Sequence, residues 1–115
     1  MERLRVEGHH LRVFPYSVQW LEELALEVPC QVLIVAPKRR LHHAVDRNRI
    51  KRLTRECYRL RKAPLFQLLQ ERDMRITLSL VYIHEDVMTY DQLGARFDKL
   101  MAALEQDIVK TKEEK

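Results

Sequence analysis

Short apolar runs predict three strands in this 115-residue chain. Residues 11–20 (LRVFPYSVQW) are rich in aromatic and β-branched side chains, which favours a strand. Pro15 cannot donate to a ladder hydrogen bond, so this strand should lie at a sheet edge or contain a bulge. Residues 31–36 (QVLIVA) form a continuous apolar run, which predicts a central strand buried on both faces. Residues 75–83 (RITLSLVYI) predict a third strand with apolar side chains on both faces.

Helical spacing predicts a basic helix followed by a shorter one. Asp46 is the expected N-cap of the first helix, which should end near Lys62 because Pro64 disfavours helical geometry in the residue before it. Residues 64–72 should then form a short second helix with Pro64 in its first turn. Four apolar positions of the first helix fall on one narrow arc, the predicted buried seam: Ile50, Leu53, Cys57 and Leu60.

A third helix is predicted near the end of the chain. Thr89 and Gln92 have the spacing of a capping box. Apolar residues then recur at helical spacing and predict a face packed on the sheet: Leu93, Phe97, Leu100, Met101, Leu104 and Ile108. The order β-β-α-α-β-α predicts an α/β (α+β) two-layer sandwich, with helices packed on a small sheet. We expect a single domain over residues 1–110 and a frayed tail over residues 111–115.

Length and cysteine content narrow the class of protein further. The longest unbroken apolar run, residues 32–36, is far shorter than a membrane span, and no apolar signal-peptide stretch follows the first residues. We therefore expect a cytoplasmic protein with no membrane partner. Cys30 and Cys57 are too few for a disulfide framework and lack the spacing of a metal site. Both are expected to be reduced, buried thiols.

The charge of the chain is concentrated in residues 38–62. This segment contains eleven Lys and Arg residues against Asp46 and Glu56, a formal charge of +9. The other ninety residues carry ten basic and fifteen acidic side chains, a formal charge of −5. Such an asymmetry favours a polyanionic partner. The alternative is a solvated helix face, which would need some compensation for its self-repulsion.

Motifs for catalysis are not found in the sequence. Gly8 and Gly94 are the only glycines, so there is no Gly-rich phosphate loop, and neither G-x-S-x-G nor H-E-x-x-H occurs. Two pairs of histidines are adjacent in sequence. On a strand or helix the two side chains of such a pair point in different directions, so neither pair is a good metal site. His42 and His43 fit better in the basic loop, and Cys57 on the apolar seam would be an inert thiol. We therefore assign no catalytic residue and no metal ligand.

Nucleic acid is the polyanion that best fits the basic segment. Most of its cations are Arg, whose planar fork suits phosphate, and contact with five to eight phosphates would give a log–log salt slope of roughly −4 to −7. Helix-turn-helix proteins are excluded because a strand feeds the basic loop. Phe14, Tyr16 and Trp20 are candidates for stacking on unpaired bases, and the alternative is that some of them face the core.

The basic helix has a more specific pattern. Residues 44–59 (AVDRNRIKRLTRECYR) resemble the signature helix of the bacterial ribonuclease P protein component family. That pattern is a basic loop, Ala-Val, one residue, Arg-Asn-Arg-x-Lys-Arg, two residues, Arg-Glu and an aromatic. The matching positions are Arg47, Asn48, Arg49, Lys51, Arg52, Arg55, Glu56 and Tyr58. The family's Ser-Lys-Lys loop corresponds to Lys38, Arg39 and Arg40.

The resemblance implies a function and its partners. The protein would be the RNA-binding subunit of ribonuclease P, which removes the 5′ leader from precursor tRNA. Catalysis would belong to the RNA subunit and its Mg²⁺ ions, and the protein would be monomeric without RNA. The family fold has a mixed sheet with a left-handed β-α-β crossover. Binding of the RNA subunit would fall to Lys38, Arg39, Arg40, Arg47, Asn48, Arg49, Lys51, Arg52, Arg55 and Arg59.

Two departures from the family pattern accompany this resemblance. The family usually begins with a further helix whose aromatics line a cleft for the 5′ leader, and this chain is expected to lack it. The region before Ala-Val usually contains Gly, where this chain has His42 and His43. An alternative hypothesis is a non-catalytic RNA-binding module, either ribosome-associated or a truncated relative without cleavage support. A third hypothesis is an enzyme that uses a metal ion or a thiol.

Overall fold

Four strands form one mixed sheet in the computed structural model, which describes residues 9–113. The strands are β1 (His9–Val13), β2 (Tyr16–Glu22), β3 (Cys30–Val35) and β4 (Ile76–Tyr82), in the spatial order β1-β2-β4-β3. β2 is antiparallel to both β1 and β4, whereas β3 is parallel to β4. Two helices pack on this sheet, so the predicted α+β sandwich with a mixed sheet is confirmed.

The prediction of one strand over residues 11–20 is wrong. This segment contains a hairpin in which β1 and β2 pair from Val13↔Tyr16 to His9↔Trp20. The two strands are joined through Phe14 and Pro15, which are linked by a cis peptide bond. Because proline has no backbone N–H to donate, the ladder is interrupted there. β1 lies at one edge of the sheet, whereas β2, which begins directly after Pro15, lies between β1 and β4.

The prediction that residues 31–36 form a central strand is also wrong. β3 pairs only with β4 and forms the second edge of the sheet. Cys30 and Ile34 are buried, but Gln31 between them is exposed, so only one face of β3 is closed. The two central positions belong to β2 and β4, and Leu78 and Leu80 of β4 are fully buried. This confirms the strand predicted over residues 75–83.

A single helix, α1 (Ala44–Glu71), replaces the two helices predicted for this region. It continues through Lys62 and includes Pro64 within its length. Proline removes one hydrogen bond from the helical ladder, at a cost that packing beyond it offsets. That packing comes from Leu65 and Leu69, both fully buried in the core one and five residues after the proline.

The buried seam of α1 agrees only in part with the predicted one. Ile50 and Cys57 are fully buried as expected, but Leu53 is half-buried and Leu60 is 55% exposed. Thr54 was overlooked as a core residue because its hydroxyl is polar. The residues of α1 that the structure buries are Ile50, Thr54, Cys57, Tyr58, Leu65 and Leu69.

The last helix, α2 (Tyr90–Glu113), follows the sequence prediction closely. Gln92 N donates to Thr89 Oγ1 at 3.2 Å and Thr89 N donates to Gln92 Oε1 at 3.0 Å, which confirms the capping box. The predicted apolar face is buried at every position: Leu93, Phe97, Leu100, Met101, Leu104 and Ile108. The helix extends three residues into the segment predicted to fray. Residues 114–115, and residues 1–8 where a further helix was expected to be missing, lie outside the described residues.

The topology brings several loops to one end of the sheet. β3 and β4 are parallel and joined through α1, which forms the expected β-α-β unit, while its left-handed sense stays a prediction. Because the strands are parallel, their carboxyl ends lie together, and residues 36–43 and 83–89 leave the sheet there. The turn at residues 14–15 joins them, since Ile83 N donates to Pro15 O at 2.8 Å. We call these three segments the loop end of the sheet.

Candidate nucleic-acid interface

The basic loop between β3 and α1 is a compact turn. The backbone N–H groups of Arg40 and Leu41 both donate to Pro37 O, at 3.0 and 3.1 Å. Leu41 is only 3% exposed and anchors the turn in the core. Lys38 and Arg39 are exposed, and Arg40 is half-buried. The loop therefore presents three of the predicted RNA-binding cations from a fixed backbone.

Arg47 has a structural role that the sequence did not reveal. Its Nη1 donates to Leu41 O at 2.9 Å and to His42 O at 3.0 Å, and the side chain is half-buried. These two bonds join the first turn of α1 to the end of the basic loop. The predicted RNA contact at Arg47 is therefore reinterpreted in part as a brace that fixes the loop geometry.

The N-cap of α1 is His43, not Asp46. His43 has an extended backbone, with φ −90° and ψ 130°, and makes no side-chain cap hydrogen bond. Its carbonyl instead accepts from the backbone N–H groups of Asp46 and Arg47, both at 3.1 Å. The helix thus begins earlier than predicted, and Asp46 lies in its first turn, where a carboxylate stabilises the positive helix end.

Four of the predicted RNA-binding residues are exposed on one surface of α1. Together with the half-buried Lys51 they form the cationic face: Asn48, Arg49, Lys51, Arg52 and Arg55. Asn48, Arg49 and Arg52 also line a shallow depression beside Val45. Val45 is 77% exposed, so an apolar side chain lies among hydrogen-bond donors. Such a surface can bind phosphate with Arg while the Val methyl groups contact a ribose or base.

The C-terminal part of the basic segment is partly neutralised within the protein. Arg59 Nε donates to Glu56 Oε2 at 3.1 Å, and the Arg59 Nη2 contact to the same carboxylate completes an exposed ion pair. The hydrogen bond from Arg59 lowers the pKa of Glu56. Arg61 Nε donates to Asp98 Oδ1 of α2 at 2.6 Å and holds the two helices together. Glu56 and Arg59 are thus paired within one helix, and Arg59 is a weaker candidate for RNA than Arg49 or Arg52.

Two of the three aromatics proposed to stack on bases are in the core, and that prediction is wrong for them. Tyr16 is fully buried and its hydroxyl is 2.6 Å from Thr54 Oγ1. Trp20 is 1% exposed and its Nε1 donates to Asp107 Oδ2 of α2 at 2.7 Å. Both side chains point to the face of the sheet that the helices cover. Phe14 alone is accessible, at 44% exposed.

The structure places two further residues beside Phe14 that the sequence did not single out. His84 follows β4, and Arg96 is on α2. They are seventy and more residues from Phe14 along the chain, and neither belongs to a recognisable motif. The pairing of β2 with β4 brings His84 to Phe14, and the packing of α2 beside β1 brings Arg96 there, so neither residue could be found from the sequence alone.

The cysteines do not form a reactive site. Cys30 and Cys57 are both free and buried, as predicted. Burial raises the pKa of the Cys30 thiol to about 11 and also raises the pKa of Cys57. Each is therefore a protonated, inert thiol at neutral pH. Within residues 9–113, no three His, Cys, Asp or Glu side chains are grouped closely enough to hold a metal ion, and no helix is long and apolar enough to cross a membrane.

The amino-acid sequence is similar to those of known proteins. A sequence model of the Ribonuclease P family matches residues 2–105. The ribonuclease P protein component of Porphyromonas gingivalis is 41% identical over 82 residues, which cover 70% of this chain and 60% of that protein. That of Chlorobaculum tepidum is 39% identical over 82 residues, covering 68% of this chain and 53% of that protein. The chain thus spans between half and two thirds of the length of these curated relatives.

Solved structures share the fold. The RNase P protein of Staphylococcus aureus superposes with a TM-score of 0.71 at 18% identity, covering 90% of this chain and 86% of that one. The RNase P protein of Thermotoga maritima, solved in complex with a fluorophenyl thiourea, gives a TM-score of 0.60 at 17% identity, covering 89% and 88% of the two chains. At these identities the comparison concerns the arrangement of strands and helices alone.

Proposed function

This chain belongs to the ribonuclease P protein family, and we propose that it is the RNA-binding protein subunit of ribonuclease P. The observation that carries the proposal is the cationic face of α1 beside the rigid basic loop. The two surfaces are joined by the hydrogen bonds of Arg47, so their cations are presented together. Their partner would be the RNA subunit of the same enzyme, bound mainly through its phosphates.

The protein would assist catalysis without performing it. In the proposed complex the RNA subunit and its Mg²⁺ ions would cleave the 5′ leader from precursor tRNA. The catalytic RNA and its RNA substrate repel each other, and a protein bearing a local excess of positive charge reduces that repulsion.

Contact with the precursor would use a second surface. The sheet face turned away from the helices carries half-buried residues on β2 and β4, among them Gln19, Thr77 and Val81. A surface of this kind suits backbone and shape contacts to many leader sequences, which one processing enzyme must accept. Because precursor tRNA is made in the bacterial cytoplasm, the proposal places the protein there.

Binding of the RNA subunit as a function of salt tests the proposal. The exposed and half-buried cations of the loop and the cationic face are sufficient for about five to seven phosphate contacts. The log–log dependence of the association constant on salt concentration should then have a slope of roughly −4 to −6. We expect this slope in filter-binding titrations with the ribonuclease P RNA from the same genome. A slope near zero, or no binding at low salt, would exclude this surface as the RNA contact.

A further inference from the structure

An exposed aromatic cluster lies at the loop end of the sheet. The Phe14 ring is 4.9 Å from the imidazole of His84, measured between centroids, and the two planes meet at 65°. The His84 ring is in turn 6.3 Å from the ring of Tyr82, which is buried. Phe14 is 44% exposed, whereas Tyr16, the aromatic residue just after the same turn, is in the core. Phe14 therefore presents ring surface to solvent that the core does not use.

Cationic side chains lie beside this ring. The guanidinium carbon of Arg96 is 5.9 Å from the Phe14 ring centroid, within the range of a cation–π contact. Arg96 also lines a shallow groove on the first turns of α2, together with Met88, Gln92, Ala95 and Lys99. Asp98, the acidic residue between these two cations in sequence, is held in its ion pair with Arg61. The groove therefore offers Arg96 and Lys99 to an anion.

The cluster is on the same side of the molecule as the basic loop. Phe14 and His84 belong to the loop end of the sheet, and so does the basic loop that follows β3. β4 lies between β2 and β3, so only one strand separates the hairpin turn from the strand that leads into the basic loop. At about 4.8 Å per strand, this separation is on the order of 10 Å, less than two nucleotides of extended RNA. A strand of RNA bound at the basic loop can reach the cluster.

We propose that the Phe14–His84–Arg96 cluster binds one unpaired nucleotide of the bound RNA. The base stacks on the exposed face of Phe14, and Arg96 and Lys99 contact its phosphate. This inference rests on the proposed RNA-binding function and adds a site outside the cationic face of α1. Glu85 and Asp86 are exposed in the adjoining loop and reduce the local positive charge. Stacking therefore contributes more to binding here than charge does, in contrast to the cationic face.

Nuclear magnetic resonance of the wild-type protein tests the site directly. Titration with an adenosine tetraribonucleotide should shift the ring signals of Phe14 and His84. His9 is the internal control, because its ring stacks on Trp20 at 4.2 Å at the opposite end of β1. Its signals should stay unchanged. Inorganic phosphate at the same concentration should leave Phe14 unaffected, since it has no base to stack.

The outcomes separate this site from the RNA-binding function as a whole. Shifts of the amide signals of Arg49 and Arg52 without any shift of Phe14 or His84 would overturn the cluster and leave the cationic face intact. No shift at either place would overturn both proposals. Equal shifts of Phe14 with phosphate alone would overturn stacking as the mode of binding.

A pair of substitutions gives the energetic test. Phe14→Leu should weaken binding of the ribonuclease P RNA about fivefold to a hundredfold, with the salt slope unchanged. Phe14→Trp should bind as tightly as the wild-type protein or more tightly, because the larger ring still stacks. Both variants should melt near the wild-type temperature, since the side chain is on the surface. Wild-type affinity in Phe14→Leu, measured alongside an Arg49→Gln variant that binds weakly, would overturn the inference alone.

Discussion

Replacing Arg49 and Arg52 together with Gln is expected to weaken binding of the ribonuclease P RNA by roughly a hundredfold. Both side chains are exposed on the cationic face, and neither is needed for an ion pair or hydrogen bond in the described part of the protein. Each lost charge-assisted contact costs about 1.5 kcal/mol or more, and the salt slope should fall by about one for each arginine. Filter binding at several salt concentrations measures both quantities.

A matched control removes the same charge elsewhere. Arg72 and Lys110 are exposed near the ends of α1 and α2, away from the loop end of the sheet. Changing both to Gln should alter affinity and salt slope far less than the Arg49 and Arg52 changes. If the two double variants weaken binding equally, only net charge matters and the cationic face is not a specific RNA surface.

Ile50→Asp is expected to unfold the domain, whereas Leu60→Asp should leave it folded. Ile50 is fully buried on the seam of α1, so the substitution places a charge in an apolar site and leaves a void. The combined cost is several kcal/mol, comparable with the whole stability of a small domain. Leu60 is 55% exposed, and its carboxylate replacement would remain in water. Circular dichroism during urea unfolding compares the two variants.

The half-buried Leu53 supplies an intermediate case for the same experiment. Leu53→Asp should lower the free energy of unfolding by less than Ile50→Asp and by more than Leu60→Asp. Equal stability of all three variants would contradict the helix phase that sets which side of α1 faces solvent. The orientation of the cationic face would then be wrong as well.

Local patterns in the sequence correctly predicted α2 and β4. α2 has an apolar residue at each turn and a capping box whose two bonds are both local, so its course follows from neighbours in sequence. β4 is paired with a strand on each side and could be predicted from its apolar composition alone. The exposed cations of α1 were predicted correctly because a basic side chain has no place in the core.

Non-local pairing accounts for the errors. The interruption at Pro15 is compatible with a bulge or a turn, and only the pairing of β1 with β2 distinguishes them. The apolar run of β3 resembles a central strand because parallel edge strands covered by a helix are also apolar. Tyr16 and Trp20 alternate with half-buried residues of β2 and face the helices, where each finds a polar partner, Thr54 and Asp107. Those partners are far away in sequence and carry no local signal.

Pro64 is a further case in which tertiary packing outweighs a local preference. The proline disfavours helix in the residue before it, yet α1 continues, because Leu65 and Leu69 complete the core beneath the second half of the helix. The role of Arg47 could not be predicted from the sequence either, because its hydrogen-bond acceptors are backbone carbonyls of the loop. A carbonyl is present at every residue, so the sequence has no feature that identifies these two.

Cleavage of a precursor tRNA tests the central claim most directly. The assay uses the ribonuclease P RNA from the same genome at low millimolar Mg²⁺, with and without this 115-residue chain. The account predicts that the chain stimulates release of the 5′ leader and that the Arg49 and Arg52 double variant does so only at much higher concentration. RNA binding without any stimulation would contradict it, and would favour an RNA-binding module that does not support cleavage.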